Sequence, residues 1–168
     1  AEVGPDGLDP LTRSLVYSRL FDFDPRTSAP YASLAREVEI IEPQLLRIRL
    51  RDDIYFHPTA TGEAFPLTVD AVIEEFAERR AEGVFVFRDV IDSVESSGEH
   101  DLLVHLRAPF SLLFEHLSMP NASIRGVGDY GVVSARLGTG PFLPLRADGQ
   151  SLILQANPLR GDDEGPML

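Results

Sequence analysis

Apolar and polar residues alternate along the chain with two different periods, which predict a mixture of helices and strands. The clearest helix is predicted over 68–83, where Thr68 is expected to cap its start and Gly83 to end it. Its apolar stripe consists of Val69, Val72, Ile73 and Phe76, and its water-facing side is expected to carry Glu74, Glu75, Glu78, Arg79 and Arg80. Further helices are predicted over 10–23 and 111–117.

Strands are predicted where the period shortens to two residues. In residues 46–51, Leu46, Ile48 and Leu50 alternate with arginines, as in a strand with one buried and one wet face. Other strands are predicted at 36–41, 90–95, 101–107, 143–146 and 152–156, with turn residues at 42–44, 96–100 and Asp148-Gly149. Hairpins between separate helices predict an α+β fold, with a mixed or antiparallel sheet and flanking helices.

Charge and composition exclude several classes of function. The 168 residues carry 27 acidic and 15 basic side chains, a net charge of −12, and every basic residue is arginine. So acidic a chain disfavours non-specific binding to nucleic acid or anionic lipid. The absence of lysine excludes Schiff-base chemistry and a Walker-type phosphate loop, and the absence of cysteine excludes disulfides and thiolate metal sites.

The residue types that usually carry catalysis do not form a recognisable pattern. The four histidines, His57, His100, His105 and His116, have no metal-binding spacing, and the carboxylates are dispersed. Residues 138–142 (GTGPF) resemble a phosphate loop only superficially, because Pro141 lacks an N–H donor and a strand-like run follows. We therefore predict no catalytic residues, no metal site and no cofactor, and favour binding over catalysis.

Eight short motifs, in order, resemble the N-terminal region of family 5 extracellular solute-binding proteins, the dipeptide-, oligopeptide- and nickel-binding receptors of ABC importers. They are Leu8-Asp9-Pro10 with 19–21, Asp24-Pro25 with Leu34-Ala35, 46–57, 66–72, Val94-Glu95, 102–110, 138–142, and 154–158 with Gly161 and 166–168. Each motif alone is weak, and their order over nearly the whole chain gives the resemblance its specificity.

The resemblance implies part of a periplasmic-binding-protein type II-like fold. Since complete family members are far longer, it implies an N-terminal fragment that lacks the lobe closing over the ligand. Residues 1–34 are expected to begin the first lobe, 35–120 to form the small second domain, and 121–168 to return to the first lobe, truncated.

The resemblance also implies function and partners. A peptide or similar small-molecule ligand and a membrane-embedded ABC permease are expected for the full-length protein, located in the periplasm or outside the cell with a membrane anchor. An alternative is the solute-sensing domain of a cytoplasmic transcriptional regulator with the same binding fold, identifiable by a preceding helix-turn-helix region. An enzyme is the third class, without a visible site to support it.

Few ligand-binding residues can be named from the sequence. By position, Thr12, Arg13 and Ser14 are expected to line the cleft, with Arg13 pairing with a ligand carboxylate. The alternative for Arg13 is a solvated helix residue. Thr139 and Gly140 are expected to hold the turn rather than touch ligand. Exposed apolar surface of such a fragment is expected to favour a homodimer.

Overall fold

The computed structural model describes residues 8–133, 135–147 and 151–160 and divides the chain into two compact units. One unit, here the terminal unit, contains residues up to Ser18, Asp53–Pro66 and residues from Ile124 onward. The other, the inserted unit, contains Arg19–Asp52 and Leu67–Ser123. The assignment of 1–34, 35–120 and 121–168 to lobes of a larger receptor stays a prediction.

The described residues form three α-helices and ten strands. In chain order these are α1 Pro10–Val16, β1 Phe21–Phe23, β2 Pro30–Ala32, β3 Ala35–Glu42, β4 Leu45–Leu50, α2 Val69–Ala81, β5 Ile91–Ser96, β6 Asp101–Leu106, α3 Leu113–Leu117, β7 Gly126–Asp129, β8 Arg136–Leu137, β9 Phe142–Ala147 and β10 Leu152–Ala156. A π-helical turn, Val86–Val90, precedes β5, and a 3₁₀ turn, Pro120–Ala122, follows α3. The α+β class is confirmed.

A four-stranded antiparallel sheet, in the order β3-β4-β6-β5, is the centre of the inserted unit. Successive side chains alternate between its faces, so the apolar positions of β4 and β6 all reach one side. Leu46, Ile48, Leu102 and Val104 are buried there. The opposite face carries two cross-strand ion pairs, Arg47 with Glu39 at 2.6 Å and Arg49 with Asp101 at 2.9 Å, and a hydrogen-bond contact of 3.1 Å between His105 and Glu95.

Helix α2 confirms the prediction for 68–83, with Thr68 accepting a hydrogen bond from the Ala71 N–H as its cap. Two members of its predicted water-facing side are buried instead: Glu75 is 1% exposed and Arg79 8% exposed. They form an ion pair at 2.8 Å, and Arg79 also donates to the Ser123 carbonyl at 2.7 Å. Burial is possible because each charge has a partner within reach.

The helix predicted over 10–23 is wrong in its second half. Helix α1 ends at Val16, Tyr17 is extended, and β1 forms a hairpin with β2. Two interactions favour the hairpin: the Asp24 carboxylate accepts backbone N–H bonds within the turn, and the Phe21 ring packs edge-on against Phe114 at 5.0 Å.

Helix α1 and small antiparallel ribbons make up the described part of the terminal unit. β7 pairs with β8 and β9 pairs with β10, while Tyr55 forms an isolated bridge with Pro66. The strands predicted at 143–146 and 152–156 are confirmed. The turn predicted at Asp148-Gly149 and the segment 161–168 lie outside the described residues.

A search of the described helices for a membrane-spanning segment found none with the required length and apolar character.

Replacement of Glu75 by glutamine tests the buried ion pair. We expect Glu75→Gln to lower the free energy of unfolding by roughly 2 kcal/mol, because Arg79 remains buried with one charge fewer beside it. Urea denaturation measures this loss. The control is Glu74→Gln, at the neighbouring exposed position, whose free energy of unfolding is expected to stay within about 0.5 kcal/mol of wild type. Equal stability of the two variants would contradict the pair's role.

Candidate functional site

The first helix of the terminal unit starts with an acidic cap. The Asp9 carboxylate accepts hydrogen bonds from the N–H groups of Leu11 and Thr12, at 2.9 and 3.1 Å, and from the Thr12 hydroxyl at 2.5 Å. These bonds, that of the Thr12 hydroxyl foremost, hold the pKa of Asp9 below its ordinary value, so this carboxylate stays charged. The cap fixes where the three predicted ligand-binding residues lie.

Thr12, Arg13 and Ser14 are adjacent, half-buried residues of α1. The hydroxyls of Thr12 and Ser14 are already used within the helix, by the Asp9 carboxylate and by the Leu11 carbonyl at 2.7 Å. Of the three, Arg13 has the side chain with the longest reach and the only positive charge. The structure does not test the predicted ligand contact of any of them.

Two glycines let residues 138–140 lie directly against the end of α1. A Cβ atom on Gly138 would be 1.9 Å from the Val16 carbonyl oxygen, and one on Gly140 would be 2.4 Å from the Leu15 carbonyl oxygen. Both distances are far below van der Waals contact, so no other residue type fits without moving backbone. The Gly140 N–H also donates to the Val16 carbonyl at 2.9 Å.

His57 lies behind this turn and is 0% exposed. Its Nδ1 is 2.6 Å from the Tyr130 hydroxyl, and its Nε2 is 2.8 Å from the Gly140 carbonyl oxygen. The Gly138 N–H donates to the Tyr130 oxygen at 2.7 Å, and the His57 N–H donates to the Gly138 carbonyl at 2.7 Å. We call His57, Tyr130, Gly138 and Gly140, together with Asn157, the crossover network.

The partners in the crossover network determine where its protons are. The Gly140 carbonyl can only accept, so Nε2 of His57 carries the hydrogen. The Tyr130 oxygen accepts from Gly138, so its own hydroxyl donates to Nδ1 of His57. Burial lowers the pKa of His57 to about 4 and raises that of Tyr130, and both groups are therefore neutral near pH 7.

Asn157 joins the last described segment to the same carbonyl. Its side-chain N–H donates to Gly140 at 3.0 Å, its side-chain oxygen accepts from the Leu159 N–H at 3.0 Å, and its backbone N–H donates to Pro141 at 2.8 Å. The network thus connects three separate parts of the chain, which is a structural role. This agrees with the expectation that Gly140 holds the turn.

The crossover network is built for rigidity rather than for catalysis. Both ring nitrogens of His57 are engaged and the ring is sealed from solvent, so a substrate has no access to it. Thr139, 4% exposed, has a hydroxyl without a hydrogen-bond partner among the described residues. Within the described ranges, no group of three or more His, Asp or Glu residues is placed to hold a metal ion.

The sequence identified the turn but not its partners. In the sequence, His57 lies in the family motif 46–57 and has no metal-binding spacing, Asn157 lies in the motif 154–158, and Tyr130 belongs to no motif. A local signal existed for two of them, since His57 follows the apolar run Ile54–Phe56 and Asn157 precedes a proline. Nothing local marks Tyr130, which is 73 positions from its histidine.

Comparison with known proteins gives structural matches only. No family model matches the chain, and no curated protein matches it by sequence.

The structural matches are bacterial solute-binding proteins. The periplasmic binding protein DppA of Helicobacter pylori, in complex with the peptide STSA, matches 93% of this chain with a TM-score of 0.79 and 18% identity. A dipeptide-binding protein of Pseudoalteromonas, in complex with Met-Leu, matches 90% with a TM-score of 0.75 and 16% identity. A nickel ABC transporter protein of Bacillus halodurans matches 90% with a TM-score of 0.71 and 24% identity.

These matches show that the chain has the fold of the peptide- and nickel-binding proteins, as the sequence resemblance predicted, and the periplasmic-binding-protein type II-like fold is confirmed. Identity below 25% establishes the fold alone. The chain spans about a third of their length: 36% of the Helicobacter, 36% of the Pseudoalteromonas and 33% of the Bacillus protein.

Titration of His57 gives a pH-dependent prediction. Its pKa is lowered in the folded state, so its contribution to stability is complete above about pH 6.5 and is lost as the pH falls towards about 4. Over this pH range we expect the unfolding free energy of wild type to fall by roughly 3 kcal/mol more than that of the His57→Gln variant.

Urea denaturation at several pH values measures this difference, and His116→Gln, in the inserted unit, controls for the loss of one imidazole. Parallel pH profiles for wild type and His57→Gln would show that the imidazole is not neutral and buried.

Substitution of Gly140 tests the close approach of the turn to α1. We expect Gly140→Ala to cost about 3 kcal/mol or more, because the new methyl group meets backbone rather than a movable side chain. Gly62→Ala is the control: Gly62 has a φ of +85° but no neighbour within 4 Å, so we expect only about 1 kcal/mol. Thermal unfolding of both variants tests the prediction, and a smaller loss for Gly140→Ala would contradict it.

Proposed function

We propose that this chain is part of a substrate-binding receptor for an ABC importer and that the complete protein binds peptides or similar small solutes. The observation that carries the proposal is the match of 93% of the chain to the peptide-bound Helicobacter protein. The other two matches described above, to a dipeptide-binding and a nickel transport protein, support the same class. None of the three is described as an enzyme.

The connectivity of the two units supports the proposal. The chain crosses between them four times, at Ser18, Asp52, Pro66 and Ser123, so neither unit is formed by one continuous segment. Receptors that clamp a solute hinge between rigid bodies, and ligand stabilises the closed state because it contacts more than one body. A chain that spans about a third of such a receptor supplies only part of the clamp.

Thr12, Arg13 and Ser14 remain our proposed ligand-facing residues. Their position on the capped first turns of α1 supports this role, and Arg13 is the member suited to a ligand carboxylate, through paired N–H donors. The hydroxyls of Thr12 and Ser14 bind within the helix, so their contribution is to hold the arginine in place.

Periplasmic or extracellular location, a membrane anchor and an ABC permease partner belong to the same proposal for the complete protein. The location is supported by the Helicobacter match, which is a periplasmic binding protein. None of the three matches described above supports the alternative of a cytoplasmic transcriptional regulator, and none supports a homodimer.

The proposal is tested on the complete protein encoded by the reading frame that contains these residues. Isothermal titration with a panel of di-, tri- and tetrapeptides is expected to give saturable binding and no turnover of the peptides. Absence of binding to every peptide, or hydrolysis of any of them, would contradict the proposal.

Arg13 has its own test in the same protein. We expect Arg13→Ala to weaken peptide binding about tenfold, the value of one lost charge-assisted hydrogen bond. Arg26→Ala, at an exposed turn, is the matched control and is expected to bind as wild type. If the two variants bind equally, Arg13 is a solvated helix residue.

A further inference from the structure

A groove lies within the inserted unit between helix α2 and strand β5. Its volume is about 270 Å³, slightly below the roughly 300–1,000 Å³ of ordinary ligand pockets, so it suits one or two side chains. Most of the lining is apolar, with a few polar groups at the rim: Ile73, Phe76, Ala77, Phe87, Ile91 and Val94 supply the apolar part, and Arg80, Asp92 and Ser93 the polar part.

The groove follows the edge of a sheet. β5 is an outer strand and pairs on one side only, with β6. Ser93 and Val94 are consecutive, with side chains on alternate faces, yet both line the groove. Asp92, which also lines it, lies where the pairing of β5 with β6 shifts register. The groove therefore runs beside the outer edge of β5, which pairs with no further strand. Apart from the carbonyls of Ile91 and Asp92, which Arg80 binds, this edge can offer backbone N–H and C=O groups to another extended chain.

Arg80 lies at the end of the groove that is next to the start of β5. Its Nε donates to the Phe87 carbonyl at 2.8 Å, and its Nη2 donates to the carbonyls of Ile91 and Asp92 at 2.6 and 2.8 Å. These bonds fix the guanidinium at the start of β5, while Nη1 makes no hydrogen bond within the described residues. A fixed guanidinium with spare donors is suited to a carboxylate.

The local charge also favours an anion at that end. The Asp92 carboxylate is 3.5 Å from Arg107, so its charge is balanced by a second arginine. The set of Arg80, Arg107 and Asp92 therefore carries one net positive charge on a chain whose total charge is −12. An apolar ligand that ends in a carboxylate matches both the lining and this charge.

We propose that the groove binds the carboxy-terminal residues of a short, free, apolar peptide. The peptide carboxylate binds Arg80, and the peptide extends antiparallel to β5, from Ser96 towards Ile91, as an added strand. Its apolar side chain lies against Phe76 and Phe87, which already pack edge-on at 4.6 Å. All lining residues of this groove belong to the inserted unit, whereas Arg13 belongs to the terminal unit, so the proposal does not depend on the proposed receptor clamp.

The test uses the 168-residue chain and the synthetic peptide acetyl-Ser-Val-Val-Leu, compared with the same peptide ending in a carboxamide. NMR titration with ¹⁵N-labelled protein is expected to show the largest amide shifts in β5. We expect the carboxylate form to bind about tenfold more tightly than the carboxamide, as one charge-assisted hydrogen bond implies.

Two alanine positions of α2 provide matched variants. Ala77 is exposed and lines the groove, whereas Ala81 is exposed on the same helix and does not. Ala77→Leu fills the groove and is expected to weaken peptide binding about tenfold, while Ala81→Leu binds as wild type. Leucine and alanine are both strong helix formers, so circular dichroism is expected to show both variants folded.

Three results would overturn the proposal: equal affinity for the carboxylate and carboxamide peptides, equal affinity of Ala77→Leu and Ala81→Leu, or amide shifts confined to the terminal unit. The last result places the peptide at the proposed receptor site around Arg13 and leaves that proposal intact. Conversely, loss of binding in Ala77→Leu but not in Ala81→Leu, with the amide shifts in β5, supports the groove independently of receptor function.

Discussion

A buried, neutral imidazole ties the terminal unit together. His57 accepts a hydrogen bond from the Tyr130 hydroxyl and donates one to the Gly140 carbonyl, and so it joins segments that are distant in the sequence. Burial of a polar ring is tolerated only when its hydrogen-bonding groups are satisfied. The glycines at 138 and 140 make this possible, since they allow the turn to approach α1 closely enough for backbone bonds to form.

These hydrogen bonds give the His57–Tyr130 pair a structural role rather than a catalytic one. The pair is saturated by fixed backbone partners, and its rigidity positions α1, on which Arg13 lies. A clamp that closes on a solute needs such stiff bodies, because ligand contacts can shift a hinge only when each body moves as a whole.

Most regular elements could be predicted because their signals are local. The alternation in β4 and the apolar stripe of α2 require only neighbouring residues, and both were identified. Burial of Glu75 was missed because an i,i+4 charged pair on a helix has the pattern of a solvated face. The strand at Phe21–Phe23 was missed because its stabilising contact, the Phe114 ring, comes from far along the chain.

The protonation state of His57 is the most direct test of this account. Long-range ¹H–¹⁵N NMR of the histidine side chains distinguishes the two neutral tautomers and the imidazolium by their nitrogen shifts. The account predicts a neutral ring with its hydrogen on Nε2 at pH 7. An imidazolium, or a hydrogen on Nδ1, would contradict the hydrogen-bond directions on which the turn is built.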